Sequence, residues 1–145
     1  MFKHILLPTD GSPLSEIAIQ KSISLAKTLG AKVTGLYVIP EYHTFTWQTE
    51  MLIDTSEDYA KFSLAQAEKF LAVIRDQAKE AGVTVALLHV ISEHPYEAII
   101  KVADDNQCDL ITMASHGRKG VQGFLIGSET QKVLVHSKIP VLVYR

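Results

Sequence analysis

The chain has 145 residues, of which 47% are hydrophobic and 21% charged, and its formal net charge at pH 7 is −2. These values are typical of a globular protein with a buried core, and we predict a single domain over residues 1–145. The charge does not support nucleic-acid binding, because such proteins carry a basic excess. No apolar run is long enough to cross a bilayer, so we expect no membrane partner. A single cysteine, Cys108, excludes an intrachain disulfide, and we expect an inert thiol and a cytoplasmic location.

Short apolar runs alternate with segments of helical periodicity along the whole chain. The predicted strands cover 4–7, 33–39, 83–91, 110–114 and 139–144. The first helix begins after an N-cap at Ser12 and ends at Gly30; others are predicted from Ser56 to Gly82, from Pro95, and over 128–136. Strands that alternate with helices predict an open parallel sheet with helices on both faces.

One segment, residues 41–54, has no clear period. It contains the only tryptophan, Trp47, and two further aromatic residues. A connection of this length is often a lid or binding loop. The simpler alternatives are a loop that packs its aromatic side chains locally and a short irregular helix, and we prefer these.

The glycine-rich segment 114–128 lies between the fourth strand and the last helix and carries four of the eight glycines. A strand, a glycine-rich loop and a helix together place backbone N–H groups and a helix N-terminus around an anion. We therefore predict a nucleotide phosphate site here. Pro8, Thr9 and Asp10 follow the first strand, and both segments meet in one cleft if the first and fourth strands are neighbours. Asp10 would then accept hydrogen bonds from ribose hydroxyls.

Each of these residues also has a simpler interpretation. Asp10 could instead form a turn with Gly11 and Ser12, or ligate Mg²⁺ beside the phosphates. Ser128 could bind phosphate, serve as the N-cap of the last helix, or do both. We expect Glu129 to point away from the phosphates or to reach a metal ion. His116 is expected to donate a hydrogen bond rather than act in catalysis, for which we assign no residue.

The loop cations are also ambiguous, because Arg118 and Lys119 could clamp phosphates or simply be solvated.

Three known motifs are absent: the sequence contains no G-x-x-x-x-G-K-[ST], no G-x-G-x-x-G after the first strand and no G-x-S-x-G.

The glycine pattern resembles that of the universal stress protein family. Its ATP-binding members carry Gly, two residues, Gly, nine residues, Gly and then Ser or Thr, and this chain has Ala114, Gly117, Gly127 and Ser128 at these positions. The resemblance also covers residues 5–10, 109–113 and 137–143, so it spans the chain.

The resemblance implies an adenine nucleotide alpha hydrolase-like fold with strand order 3-2-1-4-5, a stress-response or regulatory function, and adenine nucleotide binding. We expect Mg²⁺ to accompany the phosphates. The resemblance places the adenosine at Pro8, Thr9, Asp10 and Val38. The phosphate side would comprise Met113, Ala114, His116, Gly117, Gly127, Ser128, Glu129 and Thr130, to which we add Arg118. Family members commonly form homodimers, here expected through the last strand (Val141, Leu142, Val143, Tyr144).

Ala114 departs from the family pattern, which has glycine at this position. A methyl group there disfavours a positive φ and restricts close backbone approach. Three functions therefore stay open. The first is a nucleotide-binding regulatory protein with at most slow ATP hydrolysis. The second is a dimeric interaction module that binds no nucleotide. The third is an enzyme of nucleotidyl transfer, for which we would expect an S-G-G-x-D-S motif after the first strand; this sequence lacks that motif.

Overall fold

A computed structural model describes residues 1–42, 56–116 and 127–145, and within these residues five strands and four helices alternate along the chain. The element types agree with the sequence prediction, and the unassigned segment lies almost wholly outside the described residues. The strands are β1 (His4–Thr9), β2 (Lys32–Ile39), β3 (Val85–Ile91), β4 (Leu110–Ala114) and β5 (Val141–Tyr144). The helices are α1 (Pro13–Leu29), α2 (Ser56–Ala81), α3 (Pro95–Asp105) and α4 (Ser128–His136).

Local hydrogen bonds explain where the elements begin and end. The side chain of Ser12 accepts from the N–H of Ser15, as the predicted N-cap of α1 requires. Gly30 ends α1 with φ 67°, a left-handed conformation that glycine adopts without strain. β5 begins two residues later than predicted, because the N–H of Ile139 donates to the Ser137 hydroxyl and Pro140 has no N–H.

The last residue of β1 and the first residue of β3 also differ from the prediction. β1 continues through Pro8 to Thr9, since both residues stay paired with β2. β3 begins at Val85 rather than Val83, because the N–H of Val83 still donates to Ala78 O at the end of α2.

The strands form one parallel sheet with the order β3-β2-β1-β4-β5, which confirms the predicted topology. β1 pairs with β2 over six residues, from His4 to Thr9. Its pairing with β4 covers only Ile5 with Leu110 and Leu6 with Ile111. The order in which successive strands are added to the sheet reverses between β1 and β4, and in open parallel sheets the ligand crevice lies beyond the carboxyl ends of the strands at this point.

Alternating strand residues build a separate core on each face of the sheet. One core joins Ile5, Leu7 and Val33 to the buried faces of α1 and α2. The other joins Leu6, Leu36, Ile111 and Met113 to α3 and α4. Among the described segments, no helix combines the length and apolar character needed to cross a membrane.

Candidate functional site

The turn that follows β1 is held by short side chains. Thr9 is buried, and its hydroxyl lies 2.6 Å from the Ser15 hydroxyl and accepts from the N–H of Gly11. Asp10 Oδ1 accepts from the N–H of Ser12 at 2.9 Å, so the predicted Asp10 turn is present. A carboxylate can accept several hydrogen bonds, and this turn role is compatible with a second acceptor role toward a ribose.

Gly11 fixes the shape of this turn against α2. Its φ is 78°, and a Cβ there would lie 2.3 Å from Cε1 of Phe70. The Phe70 ring therefore occupies the space that any side chain at position 11 would need. The preceding residue, Asp10, is half-buried.

Two hydrogen bonds join the end of β4 to the start of α4, and a third joins the end of β4 to β5. The N–H of Gly127 donates to Ser115 O at 2.6 Å, and the hydroxyl of Thr130 donates to Ala114 O at 2.9 Å. The N–H of Ser115 donates to Tyr144 O on β5. The first turn of α4 is thereby held directly over the carboxyl end of β4, beside the crevice.

Gly127 is required by this packing. A Cβ at position 127 would lie 2.9 Å from the Cα of His116 and 3.2 Å from Ser115 O. Its φ of −59° is open to any residue, so the need for glycine here comes from space and not from backbone conformation.

Ala114 occupies an ordinary strand position. It pairs with Tyr144 as the last residue of β4, and its φ is not positive. The methyl group therefore imposes no backbone strain at the point where the family pattern has glycine.

Three residues of the predicted nucleotide site lie on the face of the sheet that α3 and α4 cover. Pro8 and Val38 were predicted to contact the adenosine, and Met113 the phosphates. Val38 and Met113 both belong to the core on this face, and Pro8 pairs with Leu36 of the same core. They lie at the carboxyl ends of the neighbouring strands β2, β1 and β4. Met113 is buried, so its side chain contributes to the core more than to a surface.

The first residues of α4 differ in part from the prediction. Gly127, and not Ser128, is the N-cap residue, and Ser128 is the first residue of the helix. Interpreting Ser128 as the N-cap is therefore wrong, since the cap has no room for a side chain. Glu129 directs its carboxylate to α3, where Oε2 accepts from the N–H of Tyr96 at 3.0 Å.

The loop that follows β4 is described only at its two ends. His116 is half-buried, and its Nδ1 lies 3.1 Å from the Ser115 hydroxyl. The predicted contributions of Gly117 and Arg118 fall outside the described residues. In the part of the chain that the structure describes, no group of three His, Cys, Asp or Glu side chains is arranged to hold a metal ion.

Three residues of this region were not singled out from the sequence. Ser15 and Ser115 act through contacts with Thr9 and with Gly127. Tyr96 contacts α4 through its backbone N–H, across 33 residues of sequence. The sequence places Tyr96 next to Pro95, at the start of α3, but it does not predict the contact with α4. That contact depends on the packing of α3 against α4, which is a tertiary feature.

Comparison with known proteins agrees with this architecture. A model of the universal stress protein family matches residues 1–145. Universal stress protein MJ0577 from Methanocaldococcus jannaschii is 33% identical in an alignment of 157 residues, gaps included. The alignment covers 100% of this chain and 96% of that protein. The solved structure of MJ0577 superposes with a TM-score of 0.82, at 30% identity, over 99% of this chain and 95% of that one. Universal stress protein UspA from Lactobacillus plantarum has the same fold, with a TM-score of 0.78, 21% identity and coverage of 99% and 98%. The chain belongs to the universal stress protein family.

Proposed function

We propose that this chain binds an adenine nucleotide, ATP in the first place, in the crevice beyond the carboxyl ends of β1 and β4. The observation that carries the proposal is the meeting of two segments. Sheet order makes β1 and β4 neighbours, and their pairing ends at Leu6 and Ile111. The turn at Asp10 and the start of α4 therefore flank the same opening.

The two sides of this crevice suit different parts of a nucleotide. The N-terminus of α4 offers backbone N–H groups and the positive end of a helix dipole, both of which favour phosphate. Gly127 leaves no side chain between this helix end and the β4 end. On the other side, Pro8 and Val38 present apolar surface for the adenine, and Asp10 presents a carboxylate for the ribose.

The proposed role is regulatory. The nucleotide would change the conformation of the protein or its choice of partner in a cytoplasmic stress response, with residues 1–145 acting as one domain. Mg²⁺ would accompany the phosphates, and ligation of this ion is the alternative to the ribose role of Asp10. We assign no catalytic residue, and any ATP hydrolysis would be slow.

Two solved structures of the same fold support the ligand class. One is described as a universal stress protein in complex with cAMP, at a TM-score of 0.71 and 23% identity. The other is the universal stress protein from Archaeoglobus fulgidus in complex with dAMP, at a TM-score of 0.64 and 15% identity. Both ligands are adenine nucleotides, and the fold that holds them is the fold of this chain.

Calorimetric titration with ATP and Mg²⁺ tests the proposal. The purified protein should also release a nucleotide on denaturation, which anion-exchange chromatography of the supernatant would identify. Binding should be lost in Gly117→Val, with an unchanged circular dichroism spectrum. An absence of both released nucleotide and heat up to millimolar ATP would refute the proposal and favour the interaction module that binds no nucleotide.

The ribose role of Asp10 has its own test. The wild type should bind ATP at least about tenfold more tightly than 2′,3′-dideoxy-ATP, because a hydrogen bond to a charged group contributes roughly 1.5–3 kcal/mol and tenfold corresponds to about 1.4 kcal/mol. Asp10→Ala should bind both ligands equally. Asp104→Ala removes an exposed carboxylate on α3 and is the matched control, which should keep the preference. Equal preference in the wild type and in Asp10→Ala would place the ribose elsewhere.

We also propose a homodimer that forms through β5. Within the described residues this strand is an edge of the sheet and is paired with β4 alone, and Leu142 is 37% exposed. An apolar edge strand is open to pairing with a second chain. Light scattering should give twice the mass of 16.0 kDa for the wild type and the single mass for Leu142→Lys. A monomeric wild type would refute this assembly.

A further inference from the structure

Glu129 of α4 supplies the acceptor for a backbone N–H group in the first turn of α3. Pro95, the first residue of α3, has no N–H, and the N–H groups of Glu97 and Ala98 both donate to His94 O. The His94 side chain makes no capping bond. The N–H of Tyr96 is the remaining donor of this first turn, and it donates to Glu129 Oε2 at 3.0 Å. A carboxylate at a helix N-terminus also interacts favourably with the helix dipole.

Two further side chains of α4 hold the same tyrosine. Lys132 Nζ lies 3.6 Å from Glu129 Oε1 and 5.4 Å from the centre of the Tyr96 ring. The His136 ring lies 5.4 Å from the Tyr96 ring, at an interplanar angle of 33°. Positions 129, 132 and 136 share one face of a helix, so α4 contacts the start of α3 along its length.

The first turn of α4 is thus attached on two sides. Toward the sheet, Gly127 and Thr130 bond to Ser115 O and Ala114 O at the end of β4. Toward the neighbouring helix, Glu129 bonds to the start of α3. These two attachments fix the direction in which the N-terminus of α4 points into the crevice.

The direction of the Glu129 carboxylate also has an electrostatic consequence. A carboxylate that faced the phosphates from the same turn would repel them. The carboxylate instead accepts from the N–H of Tyr96 on α3 and pairs with Lys132 on α4. The positive end of α4 therefore stays available to an anion.

We propose that Glu129 is a positioning residue for phosphate binding, which holds the N-terminal turn of α4 in its receptive place by capping α3. This assignment rests on the proposed nucleotide function. It predicts that the side chain acts through its hydrogen bond to Tyr96 and makes no direct contact with the ligand.

A pair of variants separates the hydrogen bond from the charge. Glu129→Ala removes both, whereas Glu129→Gln keeps an oxygen that can accept from Tyr96 N–H. We expect Glu129→Ala to weaken ATP binding about tenfold, and Glu129→Gln to stay within about threefold of the wild type. Adenosine, which has no phosphate, should bind all three proteins alike. Asp104→Ala, on the exposed side of α3, is the control and should bind ATP as the wild type does.

Each result of the calorimetric titrations decides the matter. Loss of ATP binding in Glu129→Ala with unchanged adenosine binding supports the assignment. Equal loss for ATP and adenosine would show a general structural role and overturn it. Tighter ATP binding in both variants would show that the carboxylate faces and repels the phosphates, which also overturns it. A wild type that binds no ATP refutes the proposed function itself, and this assignment with it.

Discussion

Replacing Gly127 with alanine perturbs the point where the loop rejoins the fold. The added Cβ would lie 2.9 Å from the Cα of His116, 3.0 Å from its Cβ and 3.2 Å from Ser115 O. Two of these three atoms belong to the backbone of the β4 end, which cannot rotate away as a flexible side chain can. Ordinary contact begins at 3.4 Å, so α4 and the end of β4 must separate by about half an ångström.

The cost of this separation follows from what it disturbs. Overpacking by one methyl group costs about 1–3 kcal/mol in the free energy of unfolding. The 2.6 Å hydrogen bond from Gly127 N–H to Ser115 O lengthens with it. Because the same movement turns the N-terminus of α4, we expect ATP affinity to fall about tenfold, equivalent to about 1.4 kcal/mol.

Urea denaturation and calorimetric titration of Gly127→Ala measure both quantities. Gly82→Ala is the matched control, because a Cβ at Gly82 would meet no atom within 4 Å. It should cost about 1 kcal/mol of stability through its φ of 75° and leave ATP affinity unchanged. If Gly127→Ala matched the wild type in stability and affinity, the close approach of α4 to β4 would be refuted.

Three further predictions concern single residues. Ala114→Gly should lower stability by about 0.5–1 kcal/mol and leave ATP affinity within twofold, since Ala114 already has an ordinary strand conformation; a large gain in affinity would contradict this. Burial, and then the charge of Lys32, lower the pKa of His4 below 6.5, and its Nε2 lies 2.7 Å from the Thr34 hydroxyl. The unfolded chain therefore binds this proton more readily, so stability should fall as pH drops below about 6.5, and urea titrations of His4→Gln should lack this component. Burial raises the pKa of the Cys108 thiol to about 11, so Ellman's reagent should label it only on unfolding, and rapid labelling of the native protein would contradict its placement.

The fold could be predicted from the sequence because its signals are local and repeated. Proline and glycine mark both ends of α1, and continuous apolar runs mark strands that are buried on both faces. Strand order could not be obtained from these patterns alone. It came from the resemblance of the glycine segment and the chain ends to a known family.

The candidate site was predicted less completely. The sequence indicated which residues follow the strands, and the strand order places those residues at one edge of the sheet. It did not indicate that the Thr9 hydroxyl is engaged by Ser15, or that Thr130 bonds to Ala114 O. Such contacts depend on how α1 and α4 rest on the sheet, which no local pattern encodes. The same reason explains why Tyr96 was not selected.

The short pairing between β1 and β4 divides the sheet into two unequal hydrogen-bonded blocks. β3 pairs with β2 over seven residues and β1 with β2 over six, whereas only Ile5 and Leu6 are matched with β4. Amide hydrogen exchange should reveal this seam as a boundary between two cooperative units, with β4 and β5 the first to open. A nucleotide that touches the ends of both β1 and β4 would bridge the seam, and would slow exchange in β5, a strand that it does not contact.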